Sequence, residues 1–117
     1  MLKKIWNELR RRFSFLDYTI AERIRERGGF IGEHVFIGED VYVDLDYAFL
    51  LEIGDGAVIS AKTMIEMHDS SLPNVNGRGK LKIGRVKIGQ RAYIGVNTVI
   101  LPGIQIGDGA IVGALSR

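Results

Sequence analysis

The chain has 117 residues, with 16 Lys and Arg against 14 Asp and Glu; this is one domain's length, with room for a modest core and no charge excess that would favour nucleic acid. It has no cysteine, which excludes disulfide frameworks, thiolate zinc sites and cysteine nucleophiles. No apolar run approaches the ~18 residues that span a bilayer, and no export-type segment stands at the amino terminus, so the expectation is a cytoplasmic protein.

Residues 1–30 form the first predicted unit. Leu2, Ile5, Trp6, Leu9, Phe13 and Leu16 recur at three- and four-residue spacing, the signature of an amphipathic helix. Ser14 followed by Asp17 resembles a capping box that would restart a second helix, with Ile20, Ala21 and Ile24 as its inner face and Gly28-Gly29 as its end. Residues 1–27 carry eight basic and four acidic side chains. Such a helix suits either an acidic membrane surface or the open end of the β-structure that follows, whose strand edges and core need a cover. The cap is the expectation, without membrane contact.

From residue 31 the rule changes to a period of six. Ile31, Ile37, Val43, Ile53, Ile59, Ile65, Ile88, Ile94, Ile100, Ile106 and Val112 open eleven hexads, most with Gly in the second place and a small or apolar residue in the fifth, such as Ala57, Thr63, Ala92 and Thr98. Two inward places of even separation fit a short strand, and Gly in the second place is expected to supply the turn between strands. Three hexads per coil, stacked with like over like, give an all-β parallel β-helix of a little under four coils over residues 31–117. The 15 glycines are nearly twice the usual share of about 7%, and Gly32, Gly38, Gly54, Gly89, Gly95, Gly107 and Gly113 are thereby accounted for as corners. A phosphate-binding loop is excluded, because the G-x-G starts at Gly54 and Gly107 lack the third glycine and open no helix.

Between the second and third blocks the period stops after "IEMHD". A polar, glycine-containing loop over about residues 70–83 leaves the coil before Val86 and Ile88 resume it.

The hexads, the helical start, "IEMHD" with its loop, and "VKIGQRAYIGVNTVILPGIQIGDGAIVGALS" together resemble the hexapeptide-repeat acyltransferases, in particular the maltose- and galactoside-type O-acetyltransferases. The resemblance implies a left-handed coil, a homotrimer, acetyl-CoA as co-substrate without a metal, and a sugar or other small hydroxyl acceptor. It assigns His68 as the general base, a role for which an imidazole of pKa near ~6.5 is suited. It aligns Asp44 with an acceptor-binding Asn, which puts the sugar preference in question. Asp46 and Gly103 share His68's hexad place one coil below and above. Tyr93, Val96 and Ala114 match positions lining the pantetheine channel. Arg78 and Lys80, with Lys82, are the loop cations available to CoA phosphates or a neighbouring chain.

Two other functions stand beside acetyl transfer. A γ-class carbonic anhydrase needs three histidine ligands, whereas this chain has two, and His34 falls on a different face from His68. A non-catalytic assembly module would need neither. Family members continue past the "GALS" equivalent, so the expectation for the 117-residue chain is weak acetyl-CoA binding, slow turnover and association through the upper end.

Overall fold

A computed structural model describes the backbone of residues 1–117 and all side chains except those of Trp6 and residues 10–19. Its first element is one helix, α1 (Leu2–Glu26), with no restart at Ser14; the Ser14–Asp17 capping contact lies outside the described residues. The helix ends as expected. Gly28 adopts φ +89°, and the Gly29 N–H returns to the Ile24 carbonyl at 2.9 Å, which closes the last turn through a residue without a Cβ.

Strands β1 (Phe30–Ile31), β2 (Phe36–Ile37), β3 (Tyr42–Val43), β4 (Leu51–Ile53), β5 (Val58–Ile59) and β6 (Met64–Ile65) form the first two coils. After the excursion described below, β9 (Val86–Ile88), β10 (Tyr93–Ile94), β11 (Val99–Ile100), β12 (Gln105–Ile106) and β13 (Ile111–Val112) complete the helix. Each of these strands ends on the first residue of a hexad. They pair in parallel as three walls, β1-β4-β9-β12, β2-β5-β10-β13 and β3-β6-β11. Registers such as Ile31↔Ile53, Ile53↔Ile88 and Ile88↔Ile106 stack first-place residues directly over one another. The inward ladder of Ile31, Ile37, Val43, Ile53, Ile59, Ile65, Ile88, Ile94 and Ile100 is buried, with Ala57, Thr63, Ala92 and Thr98 filling the narrower corners. The Thr98 hydroxyl donates to the Gly95 carbonyl at 2.7 Å, so its polar atom is satisfied within the core.

The corners correct one expectation about glycine. The left-handed conformation sits in the fourth place of the hexad, not the second. Gly56, Gly103 and Gly109 occupy it, and so do His34 (φ 58°), Lys62 (φ 60°) and Asn97 (φ 55°). The second-place glycines that lie under a further coil are required instead by close approach. A Cβ at Gly54 would lie 2.7 Å from the Gln90 backbone nitrogen in the next coil, and one at Gly95 would lie 2.5 Å from that of Ala114. Third-place aspartates tie coils together: Asp55 Oδ1 accepts the Glu33 N–H at 2.8 Å, and Asp108 Oδ1 accepts the Gln90 N–H at 2.7 Å.

Two insertions interrupt the grid. A 3₁₀ segment, Leu45–Leu50, bulges from the corner after β3, accounting for the four extra residues near Phe49. The second insertion is a built arm: β7 (His68–Asp69) pairs antiparallel with β8 (Lys82–Ile83), and a short helix, α2 (Ser71–Asn76), lies between them. Asp69 Oδ1 accepts the Ser71 N–H at 2.8 Å to start that helix, and Gly77, in the left-handed region, ends it.

The predicted cap is partial. Ile20, Ala21 and Ile24 of α1 join the core cluster, and the helix packs against β1, β2 and the 3₁₀ segment. Leu2, Ile5 and Leu9, at the other end, remain exposed. Among the described residues, no helix is long and apolar enough to cross a membrane.

Candidate active site

Along the corner that follows the third wall, every second place departs from glycine: Asp44, Glu66 and Leu101 stand there, whereas the first wall has Gly32, Gly54, Gly89 and Gly107. The register Val43↔Ile65 sets Asp44 beneath Glu66 in successive coils. Two residues beyond Glu66, His68 leaves the coil as the first residue of the arm and pairs with Ile83. The fourth place, a left-handed corner in most hexads, is here an extended strand. This backbone change turns the imidazole back along the corner.

His68 Nδ1 forms a hydrogen bond with Asp44 Oδ2, which also accepts the buried Met67 N–H at 3.2 Å. A carboxylate can only accept, so Nδ1 carries the proton, and in the neutral ring Nε2 keeps its lone pair. The Asp44 side chain is 4% exposed and that of His68 31%, which leaves one edge of the ring open to solvent above a buried anchor. Tyr47, from the 3₁₀ segment, stacks on the imidazole with centroids 4.6 Å apart and planes at 27°. The ring is fixed at one nitrogen and on one face.

The electrostatics favour the imidazolium. The hydrogen bond to Asp44 raises the His68 pKa above its ordinary value, opposed by partial desolvation and helped by the charges of Asp44, Glu66 and Asp46. The Glu66 carboxyl is also pushed up, first by burial and then by Asp44. The Tyr42 phenol shifts upward through burial and the charges of Glu66, Asp44 and Asp46. The corner is a region of negative potential. Ligand atoms of Asp44, Glu66 and His68 lie within 4.8 Å of one another, the one grouping among the described residues with the donors and spacing for a cation. Asp44 Oδ2 is already engaged by two N–H donors, which leaves Glu66 and His68 Nε2 as the less committed atoms.

The remaining expected site residues are dispersed. Asp46 is exposed and pairs with Arg27 at 3.3 Å. Gly103 lies at His68's corner, with its backbone nitrogen 2.5 Å from where a Cβ on Gly84 would stand. Val96 and Ala114 stack at the corner after the second wall, where the Leu115 N–H reaches the Val96 carbonyl at 2.9 Å. Tyr93 is on the outer face of β10, and Arg78 and Lys80 are exposed on the arm. Asp44, expected at the acceptor, is buried beneath the imidazole. Sequence reasoning missed Glu66, Tyr47 and Tyr42. Only Glu66 carried a signal, as a charged residue in a place that elsewhere favours glycine.

A parallel β-helix of six-residue repeats, with a carboxylate-anchored histidine where the repeat breaks, defines a hexapeptide-repeat protein. Comparison with known proteins agrees. Residues 85–117 match the family "Bacterial transferase hexapeptide (six repeats)". The chain is 33% identical over 84 residues to the Bacillus subtilis (strain 168) protein named "Putative acetyltransferase YvoF", covering 72% of this chain and 45% of that one. It is 33% identical over 97 residues to the Escherichia coli (strain K12) protein named "Putative lipopolysaccharide biosynthesis O-acetyl transferase WbbJ", covering 70% of this chain and 49% of that one. The chain thus carries the hexapeptide repeat, is similar to proteins named as acetyltransferases, and spans about half the length of these relatives.

Proposed function

We propose that the chain carries the acyl-transfer site of an acetyl-CoA-dependent O-acetyltransferase with His68 as general base. The observation that carries this reading is the His68–Asp44 pair, stacked by Tyr47 and open at Nε2. Nε2 takes the proton of an acceptor hydroxyl as its oxygen attacks the thioester carbonyl. The carbon–sulfur bond then breaks, and the imidazolium returns its proton to the departing CoA thiolate. Asp44 holds the tautomer and stabilises the imidazolium formed in passing. Asp44, Glu66 and Asp46 together disfavour anionic acceptors, so a neutral sugar or other small alcohol is the proposed class.

The wider assignment follows the sequence's resemblance to the hexapeptide-repeat O-acetyltransferases. It comprises a left-handed coil, a cytoplasmic homotrimer in which a neighbouring coil and arm wall the site, and CoA held by Tyr93, Val96, Gly103 and Ala114 with Arg78 and Lys80 near its phosphates. Acetyl-CoA turnover across a panel of sugars and alcohols tests the chemistry, and light scattering tests the trimer. Full activity in His68→Ala would remove the base from the mechanism. The Asp44, Glu66 and His68 donor set favours a second reading, a divalent-cation site; turnover that falls with a chelator and returns with added metal would establish it over the first.

A further inference from the structure

The end of α1 that leaves the coil is also the end that carries the helix's charge. Residues 1–12 contain Lys3, Lys4, Arg10, Arg11 and Arg12 against Glu8, net +4; residues 13–27 contain Arg23, Arg25 and Arg27 against Asp17, Glu22 and Glu26, net zero. The carboxy-terminal part is anchored through Ile20, Ala21 and Ile24. At the amino-terminal end, Leu2, Ile5 and Leu9 follow one helical line and are 82%, 49% and 40% exposed, with Met1 beside them. A 25-residue helix is about 37 Å long at 1.5 Å per residue, and the molecule measures 62 Å along its longest axis against 28 and 21 Å across. An unpartnered apolar line and a block of positive charge thus coincide on one projecting segment.

We propose that this segment docks the protein on a bilayer bearing anionic headgroups, with Leu2, Ile5 and Leu9 entering the interface and Lys3 and Lys4 meeting the phosphates. Charge favours lipid over a second copy of the helix, since pairing two copies would bring two +4 segments together. The helix's root packs on the 3₁₀ segment that carries Tyr47, and Arg27 pairs with Asp46. Docking would therefore hold the coil by the insertion beside the His68 corner. This mode of attachment does not depend on the transfer chemistry.

Co-sedimentation of the full chain with phosphatidylglycerol–phosphatidylcholine vesicles, against vesicles of phosphatidylcholine alone, tests the proposal. The expected result is binding to the anionic vesicles that weakens at about 0.5 M salt, where surface charges are screened. Ile5→Glu/Leu9→Glu should abolish it with the melting temperature and light-scattering mass unchanged. Lys3→Gln/Lys4→Gln, which leaves the apolar line intact, should weaken partitioning by about five-fold for each charge removed. Failure of the wild-type chain to sediment with anionic vesicles overturns the proposal, as does unaltered binding by the lysine variant. A fall in light-scattering mass in the Glu variant, without vesicle binding by the wild type, would assign the surface to a second copy.

Discussion

Replacing Asp44 with Asn isolates the charge beneath the candidate base. Asp44 Oδ2 accepts from both the Met67 N–H and His68 Nδ1. In the Asn variant the amide nitrogen cannot take that position, because it would face two donors, so the carbonyl oxygen is held there and the imidazole keeps its tautomer. What is lost is the difference between a charge-assisted and a neutral hydrogen bond, tempered by a ring with one edge in solvent. The transfer rate should fall about three- to five-fold. Loss of the Asp44 charge should also lower the His68 pKa toward its ordinary value, because the hydrogen bond to Asp44 is the first cause of its rise. The base form grows as pH rises through that pKa, so the acid limb of the pH–rate profile should move to lower pH. Asp44→Ala removes the acceptor altogether, frees the ring and leaves the buried Met67 N–H unpaired; it should reduce the rate by about two orders of magnitude and stability by about 1–3 kcal/mol. The assay is release of the CoA thiol, to which the cysteine-free chain adds no thiol of its own. If Asp44→Asn is as damaging as His68→Ala, or its acid limb moves upward, the arrangement of donors inferred at Asp44 is wrong.

His68→Ala should reduce transfer by about two to four orders of magnitude with the circular dichroism of the coil retained; an unchanged rate would refute the base assignment. Glu66→Gln should raise the thermal midpoint at neutral pH, because burial and Asp44 raise the Glu66 pKa and disfavour its charged form. A raised carboxyl pKa and a raised imidazole pKa have the same linkage sign: the folded chain holds extra protons, so stability falls as pH climbs from each ordinary value through the raised one. Thermal melts that show Glu66→Gln less stable at neutral pH would contradict this. Gly54→Ala should cost about 1–3 kcal/mol, since its Cβ would meet the Gln90 nitrogen at 2.7 Å. Gly107→Ala, with nothing within 4 Å, should be nearly neutral in the 117-residue chain, and equal losses in denaturant titrations would refute the close-approach account.

The parts of the fold that were legible are those fixed by repetition. Each first-place Ile or Val ends a strand because burial at one position every six residues leaves the chain few other ways to satisfy its backbone. The assignment of second-place glycine to the turn is wrong for a physical reason. The pattern shows where side chains are excluded, not whether the cause is dihedral or steric, and only stacked coils reveal that the second-place Cβ would strike the next turn's backbone. The insertions were visible as breaks, but their structure was not. Tyr47 reaches His68 because a 3₁₀ segment replaces a corner, and no period constrains where an inserted residue points.

The location of the site follows from the same steric rule. Where coils stack closely, the second place is mostly Gly, and a corner built that way presents bare backbone. Along the His68 corner the rule is relaxed in successive coils, and the room admits Asp44 and then Glu66. The chain leaves the grid twice beside this same corner, once as the 3₁₀ segment after Asp44 and once as the arm at His68. A regular coil would have buried or splayed these side chains. The two departures bring a carboxylate beneath the imidazole and an aromatic ring onto its face. Function is therefore read from the misfits in this fold: a charged residue in a glycine place and a break in the period point to the same corner, and their coincidence carries more weight than either alone.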